Sequence, residues 1–236
     1  MKKSLPLFVG AILIASLSFF FPACKEEDDD PAVKVIPPSE LAYGKSYTEW
    51  SIEWMKSFTS FDCDNNPWLS SDKALFYQTG SVYFLAGLNT EGASVNISVP
   101  EGKAILFPLT NYVNDYPCPD PTFAPAPGQS LKDFLTEGII SFKNGVSGLA
   151  VEVDGASISD PASYWFMTDL FEFTGNPDLA TGCQFDVCIT GTPQSAVAGG
   201  YYMILKPLSR GTHTVHYHSV TWGNFVQDGT FNITVQ

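Results

Sequence analysis

Three histidines fall within six residues, in Gly211-Thr212-His213-Thr214-Val215-His216-Tyr217-His218, and imidazole is the side chain most often recruited to hold a metal or move a proton near neutral pH. Along an extended strand successive side chains alternate, so His216 and His218 share one face and His213 takes the other. Two imidazoles on one face make half of a zinc or copper site; a carboxylate from another strand, such as Asp169 or Asp115, must supply the rest. A second polar group, Asn111, Asn114 and Asp115, opens a proline-dense stretch, and Trp68, Trp165 and Trp222 offer flat aromatic surfaces for a ligand. The turn Asp62-Cys63-Asp64-Asn65-Asn66-Pro67 begins like a calcium loop, but Pro67 stands where the turn glycine belongs and Lys73 where a bidentate glutamate is needed. An Asx-type turn is expected there instead. The chain has no Gly-x-Ser-x-Gly elbow, no His-Glu-x-x-His, no phosphate-cradling loop and no dinucleotide fingerprint, so catalytic residues and any cofactor stay unassigned.

Composition narrows the function classes. Twenty-five acidic residues face 12 basic ones, a formal charge of -13, and Arg210 is the lone arginine. Phosphate recognition needs clustered Lys and Arg, so a nucleic-acid partner is not expected. With 44% hydrophobic and only 16% charged residues, the chain lies well away from the composition of disordered proteins.

The elements that must position these side chains follow from periodicity. Tyr43, Tyr47, Trp50, Trp54 and Phe58 recur at helical spacing with Met55 beside them, predicting a helix that starts near Ser39 and lays an aromatic face on a sheet. Ser130 with Asp133 three residues later starts a second helix. Strands are expected at 81–86, 95–99 and 103–107, the last two joined as a hairpin by Pro100-Glu101-Gly102, with a long surface loop over 111–128. Asp154-Gly155 marks another hairpin, between 149–153 and 156–159. Further strands are expected at 164–166, 170–173, 184–190, 201–206, 212–220 and 230–235. The expectation is a mainly β fold: an antiparallel β-sandwich or jelly roll of roughly nine or ten strands with two packed helices.

The N-terminus addresses the chain. Met1-Lys2-Lys3 precedes an apolar run over 5–21, as in a signal peptide, which ends in Phe21-Pro22-Ala23-Cys24. The small residue before Cys24 resembles the lipobox of bacterial lipoproteins, although Phe21 and Pro22 replace the usual leucine and small residue. Lys25-Glu26-Glu27-Asp28-Asp29-Asp30 resembles the export tag of Bacteroidota surface lipoproteins. These resemblances imply a signal peptide over 1–23, lipidation at Cys24, an acidic and proline-containing tether over 24–38 and one domain over 39–236. The implied location is the outer membrane, lipid-anchored, facing out from the cell surface. In an exported chain Cys63, Cys118, Cys183 and Cys188 suggest two disulfides with three possible connectivities. In a continuous strand Cys183 and Cys188 would point to opposite faces, and Cys63 with Cys118 is the favoured pair.

Several blocks carry a broader resemblance: Trp50-x-x-x-Trp54, Asn66-Pro67, Gln78-x-Gly80-x-Val82-Tyr83-Phe84-Leu85-Ala86-Gly87, Val99-Pro100-x-Gly102-Lys103-Ala104-x-Leu106-Phe107-Pro108-x-x-Asn111, and Gly200-Tyr201-Tyr202 through Gly211-x-His213-x-Val215. They resemble a family of uncharacterised exported bacterial proteins, which implies one domain across these blocks and brings no mechanism. Three functions follow as expectations: a surface module binding a glycan or protein ligand, an extracellular enzyme using metal through His216 and His218, or a structural or adhesive envelope protein. An open groove with exposed tryptophan favours the first, convergent polar groups in a closed pocket the second, and a flat charged surface with buried tryptophans the third.

Overall fold

The computed structural model describes residues 34–77 and 80–236. Cys24, the expected signal peptide and the acidic run lie outside the described residues. In chain order the elements are α1 (Tyr47–Phe58), β1 (Leu75–Tyr77), β2 (Val82–Leu85), β3 (Ala93–Val99), β4 (Ala104–Tyr116), α2 (Leu131–Asn144), β5 (Ser147–Val153) and β6 (Ala156–Ser157). They continue with β7 (Trp165–Met167), β8 (Phe171–Phe173), the single-turn α3 (Asp178–Thr181), β9 (Gln194–Leu205), β10 (Gly211–Val220) and β11 (Val226–Val235). The fold is mainly β, as expected, with 11 strands and three helices among the described residues.

The strands form two sheets. One runs β1-β2-β4-β9-β7, with β8 also pairing β9; the other runs β3-β11-β10-β5-β6. Both are mixed rather than antiparallel, because β2 runs parallel to β4 and β3 parallel to β11. The expected hairpin between β3 and β4 does not form: the Pro100-Glu101-Gly102 turn carries the chain from one sheet to the other, and the Glu101 amide donates to the Gln236 carbonyl. The turn at Asp154-Gly155 does close a hairpin, β5 with β6, both turn residues holding the positive φ that such a turn requires.

The sheets face each other through Phe107, Tyr217 and Phe231, whose rings meet at 5.6–6.2 Å. Each is fully buried, and sequestering a side chain of that size contributes about 1.5–3 kcal/mol. Tyr217 keeps its hydroxyl satisfied by accepting the Leu88 amide at 2.6 Å.

The opposite face of the first sheet is covered by α1. Its start lies at Ser46, not Ser39: Ser46 caps the Glu49 amide and the Glu49 carboxylate returns to the Ser46 amide, a reciprocal capping box. Tyr43 therefore sits outside the helix, in the Ala42–Lys45 turn with positive φ, and is exposed. Tyr47, Trp50, Trp54, Met55 and Phe58 are buried. Trp54 Nε1 donates to the Leu85 carbonyl at 2.9 Å, and Tyr47 stacks on Phe166 at 4.4 Å. The folded part also begins before residue 39, since the Ile36 amide donates to the Ile204 carbonyl and Val35 is buried beside β9.

Helix α2 starts on the Ser130 cap as expected and lies across the far ends of β4 and β9. The approach is close because β9 is glycine there: a Cβ on Gly199 would stand 2.4 Å from Ile139 and 3.0 Å from Trp165. That small-residue run explains why β9 is twice as long as periodicity alone suggests. β4 likewise continues through Tyr116, so the proline-dense loop starts only at Pro117.

Residues 184–190 are no strand. Single-turn α3 and the bend after it aim the two cysteines at different partners, giving Cys63–Cys183 and Cys118–Cys188 with Cα separations of 5.9 and 4.2 Å. This corrects the favoured Cys63–Cys118 pairing: without a continuous strand, Cys183 and Cys188 are free to diverge.

Candidate functional site

β2 pairs with β4 only as far as Phe84 opposite Leu106. Beyond it the chain turns off, the Ala86 amide donating to the Ala74 carbonyl and Leu88 being held by Tyr217. From Phe107 to Tyr116 β4 therefore has β9 on one side and, among the described residues, no strand on the other. The vacated space is a groove of about 730 Å³. Pro108 and every residue from Thr110 to Asp115 line it. Side chains of adjacent strand residues point to opposite faces, so consecutive residues border one groove only when the strand presents its edge.

One wall of this slot is the end of α1 with the loop at Phe185–Cys188; Phe58 and Phe185 rings meet at 5.6 Å. The other wall is Tyr112, Phe142, Trp222 and Phe225. Tyr112 stacks on Phe142 at 5.4 Å, and Trp222 stands edge-on to both at 4.9 and 5.3 Å. Trp222 Nε1 donates to the Ser141 carbonyl at 3.2 Å, and Gly145 leaves room for the indole, since a Cβ there would come within 2.4 Å of it. Where Gly87 lies beside Trp68, Trp68 reaches Phe225 at 6.4 Å and closes that end.

The polar groups in the slot are largely committed. Asn114 Nδ2 donates to the Leu135 carbonyl at 2.9 Å. Gln194 Nε2 donates to Asp115 and, at 3.0 Å, to the Cys188 carbonyl. Asp186 accepts the Cys188 amide at 3.0 Å. Asp115 and Asp186 bring carboxylate oxygens within 4.8 Å of one another, beside a Cys188 sulfur already spent in a disulfide. Burial raises the Asp115 carboxyl to about 8, and the neighbouring Asp186 charge adds to the rise. Burial raises Asp186 as well. Among the described residues no lysine or arginine lines the slot.

Of the ligand-contact residues expected from sequence, Trp68, Trp222, Asn111, Asn114 and Asp115 border this one groove. Trp165 does not: it packs under α2 against Tyr201 and Phe142. Sequence reasoning missed Tyr112, Phe185, Asp186, Gln194 and Phe225. Phe225 was legible, because a tight Trp222-Gly223-Asn224-Phe225 connection between two strands must bring its two aromatics to one end of the sandwich. Asp186 reaches the slot only through the disulfide-bound loop, and Gln194, the first residue of β9, through its bond to Asp115, neither of which leaves a periodic trace.

The histidines lie elsewhere. His213 is half-buried, with Nδ1 2.8 Å from Asp154 and Nε2 2.8 Å from the Ser209 carbonyl, and so serves the β5–β6 turn. Asp154 loses some charge preference to burial, but His213, Lys34 and the Thr214 amide more than reverse this and hold it at about 2. His216 and His218 share the solvent-facing side of the second sheet, where Asp228 on β11 meets both. Neither carboxylate considered for them is near: Asp169 is paired with Lys132, and Asp115 lies in the slot. The Asp62 turn is an Asx turn, Asp62 accepting from Asn65, and the Lys73 ammonium occupies the loop centre through the Asp64 carbonyl and Asn65.

No family model matches the chain, and no curated protein matches it. Among solved structures, the crystal structure of a cysteine protease inhibitor from Entamoeba histolytica aligns with 66% of this chain and 96% of its own, at 12% identity and a TM-score of 0.24. A superposition that slight carries no argument about fold or function.

Proposed function

We propose that the chain is a surface-displayed lipoprotein whose folded domain is a binding module, and that its ligand is an extended polypeptide segment laid into the slot as an added strand beside β4. The observation that carries this reading is the edge of β4 over residues 110–115, which has no strand beside it among the described residues and is sunk between aromatic walls. Proteins normally hide or blunt such an edge, because its unpaired N–H and C=O groups template another strand. In strand addition the main chain supplies affinity and flanking pockets supply specificity. Tyr112, Phe185, Trp222 and Phe225 are exposed and ready to take side chains from an incoming strand. A glycan would instead need free polar side chains, and Asn114 and Asp115 are already engaged. Two aspartates without a basic neighbour favour a segment carrying a lysine or arginine among apolar residues.

The probe is a displayed library of random short peptides, panned against the purified chain, with enriched peptides remeasured by calorimetry. Peptides rich in apolar residues with a basic side chain are expected to emerge. Trp222→Ala and Phe225→Ala should each weaken their binding roughly tenfold or more, as truncation of a central aromatic contact does. Failure to enrich any peptide, or affinities untouched by both substitutions, would contradict the proposal.

A further inference from the structure

The outer face of the second sheet holds the other unused chemistry. β10 presents His216 and His218 two positions apart on the solvent side, and β11 places Asp228 directly opposite His218. The Asp228 carboxylate stands between the rings, one oxygen 3.4 Å from His216 Nε2 and the other 3.0 Å from His218 Nδ1. On the far side of β10, Glu152 of β5 is the direct cross-strand neighbour of His216. Two imidazoles and two carboxylates thus share one patch across three strands.

We infer that this patch binds a divalent transition-metal ion, zinc or copper(II), through His216, His218 and Asp228. Same-face residues two apart on a strand are separated by about 6.5–7 Å at the backbone, and the directly opposed residue on the next strand by about 5 Å. Side chains as long as histidine and aspartate can meet from those positions at a point above the sheet. A nitrogen, nitrogen, oxygen donor set with the solvent side open matches three-ligand zinc and tetragonal copper(II) sites, and is too nitrogen-rich for calcium or magnesium. His213 supplies the contrast. Both its nitrogens are engaged by protein groups, whereas His216 and His218 each keep one ring nitrogen with no protein partner among the described residues. None of the five strands of this sheet contains a lysine or arginine, so no fixed cation on them competes for Asp228 or Glu152. The net negative charge of the chain draws cations toward it. Ligation requires the two rings to turn from the carboxylate edge toward a common point, a side-chain adjustment that leaves the strands in place.

The test uses the full chain without a histidine tag, stripped with chelator and titrated separately with zinc by calorimetry and with copper(II) by electron paramagnetic resonance. One equivalent of each metal should bind, and the copper spectrum should show superhyperfine coupling to two nitrogens. His216→Gln and His218→Gln should each lower affinity at least tenfold and remove one nitrogen from the coupling, while Asp169→Asn, at a surface carboxylate outside the patch, changes neither. Both histidines are at the surface, so unchanged circular dichroism is expected and separates loss of a ligand from loss of fold. Absence of binding overturns the inference. So does binding that survives both histidine substitutions, or copper coupled to no nitrogen, either of which would place the ion on the acidic residues of the tether or the slot.

Discussion

Asp115 and Asp186 put two carboxyls into a slot wall that, among the described residues, holds no lysine or arginine. A carboxyl whose pKa is raised by folding holds its proton more tightly in the native than in the unfolded chain. Its contribution to stability is therefore complete below the ordinary aspartate range and is lost as pH rises from about 4 through about 8. Asp115→Asn keeps an oxygen for Gln194 and removes the charge. Its thermal midpoint should be less dependent on pH between 5 and 8 and should exceed that of the wild type at pH 8, by roughly 1–3 kcal/mol of stability. A midpoint below wild type at pH 8 would mean that the carboxylate is supported by a group other than Gln194. Asn111, Asn114 and Asp115 stood out in the sequence as polar residues crowded before prolines. Asp228 did not, because the last strand was expected only from residue 230 and begins at Val226, which adds the register position opposite His218.

At the scale of elements, the slot exists because β2 is four residues long and β4 thirteen. The sequence hides that mismatch. Asn111 to Tyr116 shows no apolar alternation, and its asparagines and the prolines that follow read as loop. The same holds for β9, where Ala196–Gly200 has low strand propensity but lets α2 come close. Gly199→Ala tests that account. The added methyl must displace Ile139 or Trp165, so chemical denaturation should show a loss of about 1–3 kcal/mol, with α2 and the Trp222 wall loosened together. An unchanged midpoint would show that the helix does not rely on this approach. Helix periodicity was legible because Tyr47, Trp50, Trp54 and Phe58 are all buried on one face, whereas the start was misplaced by Tyr43, which matches the spacing by coincidence and lies in a turn. The β3–β4 turn was read as a hairpin because local chemistry specifies a turn and not which sheet the chain enters next.

For the whole molecule, the mainly β sandwich-like architecture could be read from strand count and turn spacing, while the parallel pairings at β2–β4 and β3–β11 join segments far apart in sequence and leave no local signal. The disulfides are similar. Cys63–Cys183 spans 120 residues and ties the loop after α1 to the loop after α3 that walls the slot, and Cys118–Cys188 fastens that walling loop just past the end of β4. Replacing Cys63 and Cys183 together with serine should cost about 2–5 kcal/mol in urea unfolding and weaken any slot ligand in parallel. Stability lost with ligand affinity intact would separate the cross-link from the groove. The claim on which the account turns is that a polypeptide adds to the edge of β4. In an antiparallel pair alternate amides face the neighbouring strand, so about half of those between Thr110 and Asp115, past the bulge at Pro108, face away from β9 toward the slot. Amide hydrogen exchange, measured residue by residue with and without a selected peptide, reads them directly. Slowed exchange is expected at alternate residues of β4 on binding; protection confined to other parts of the chain, or none along 110–115, would contradict strand addition.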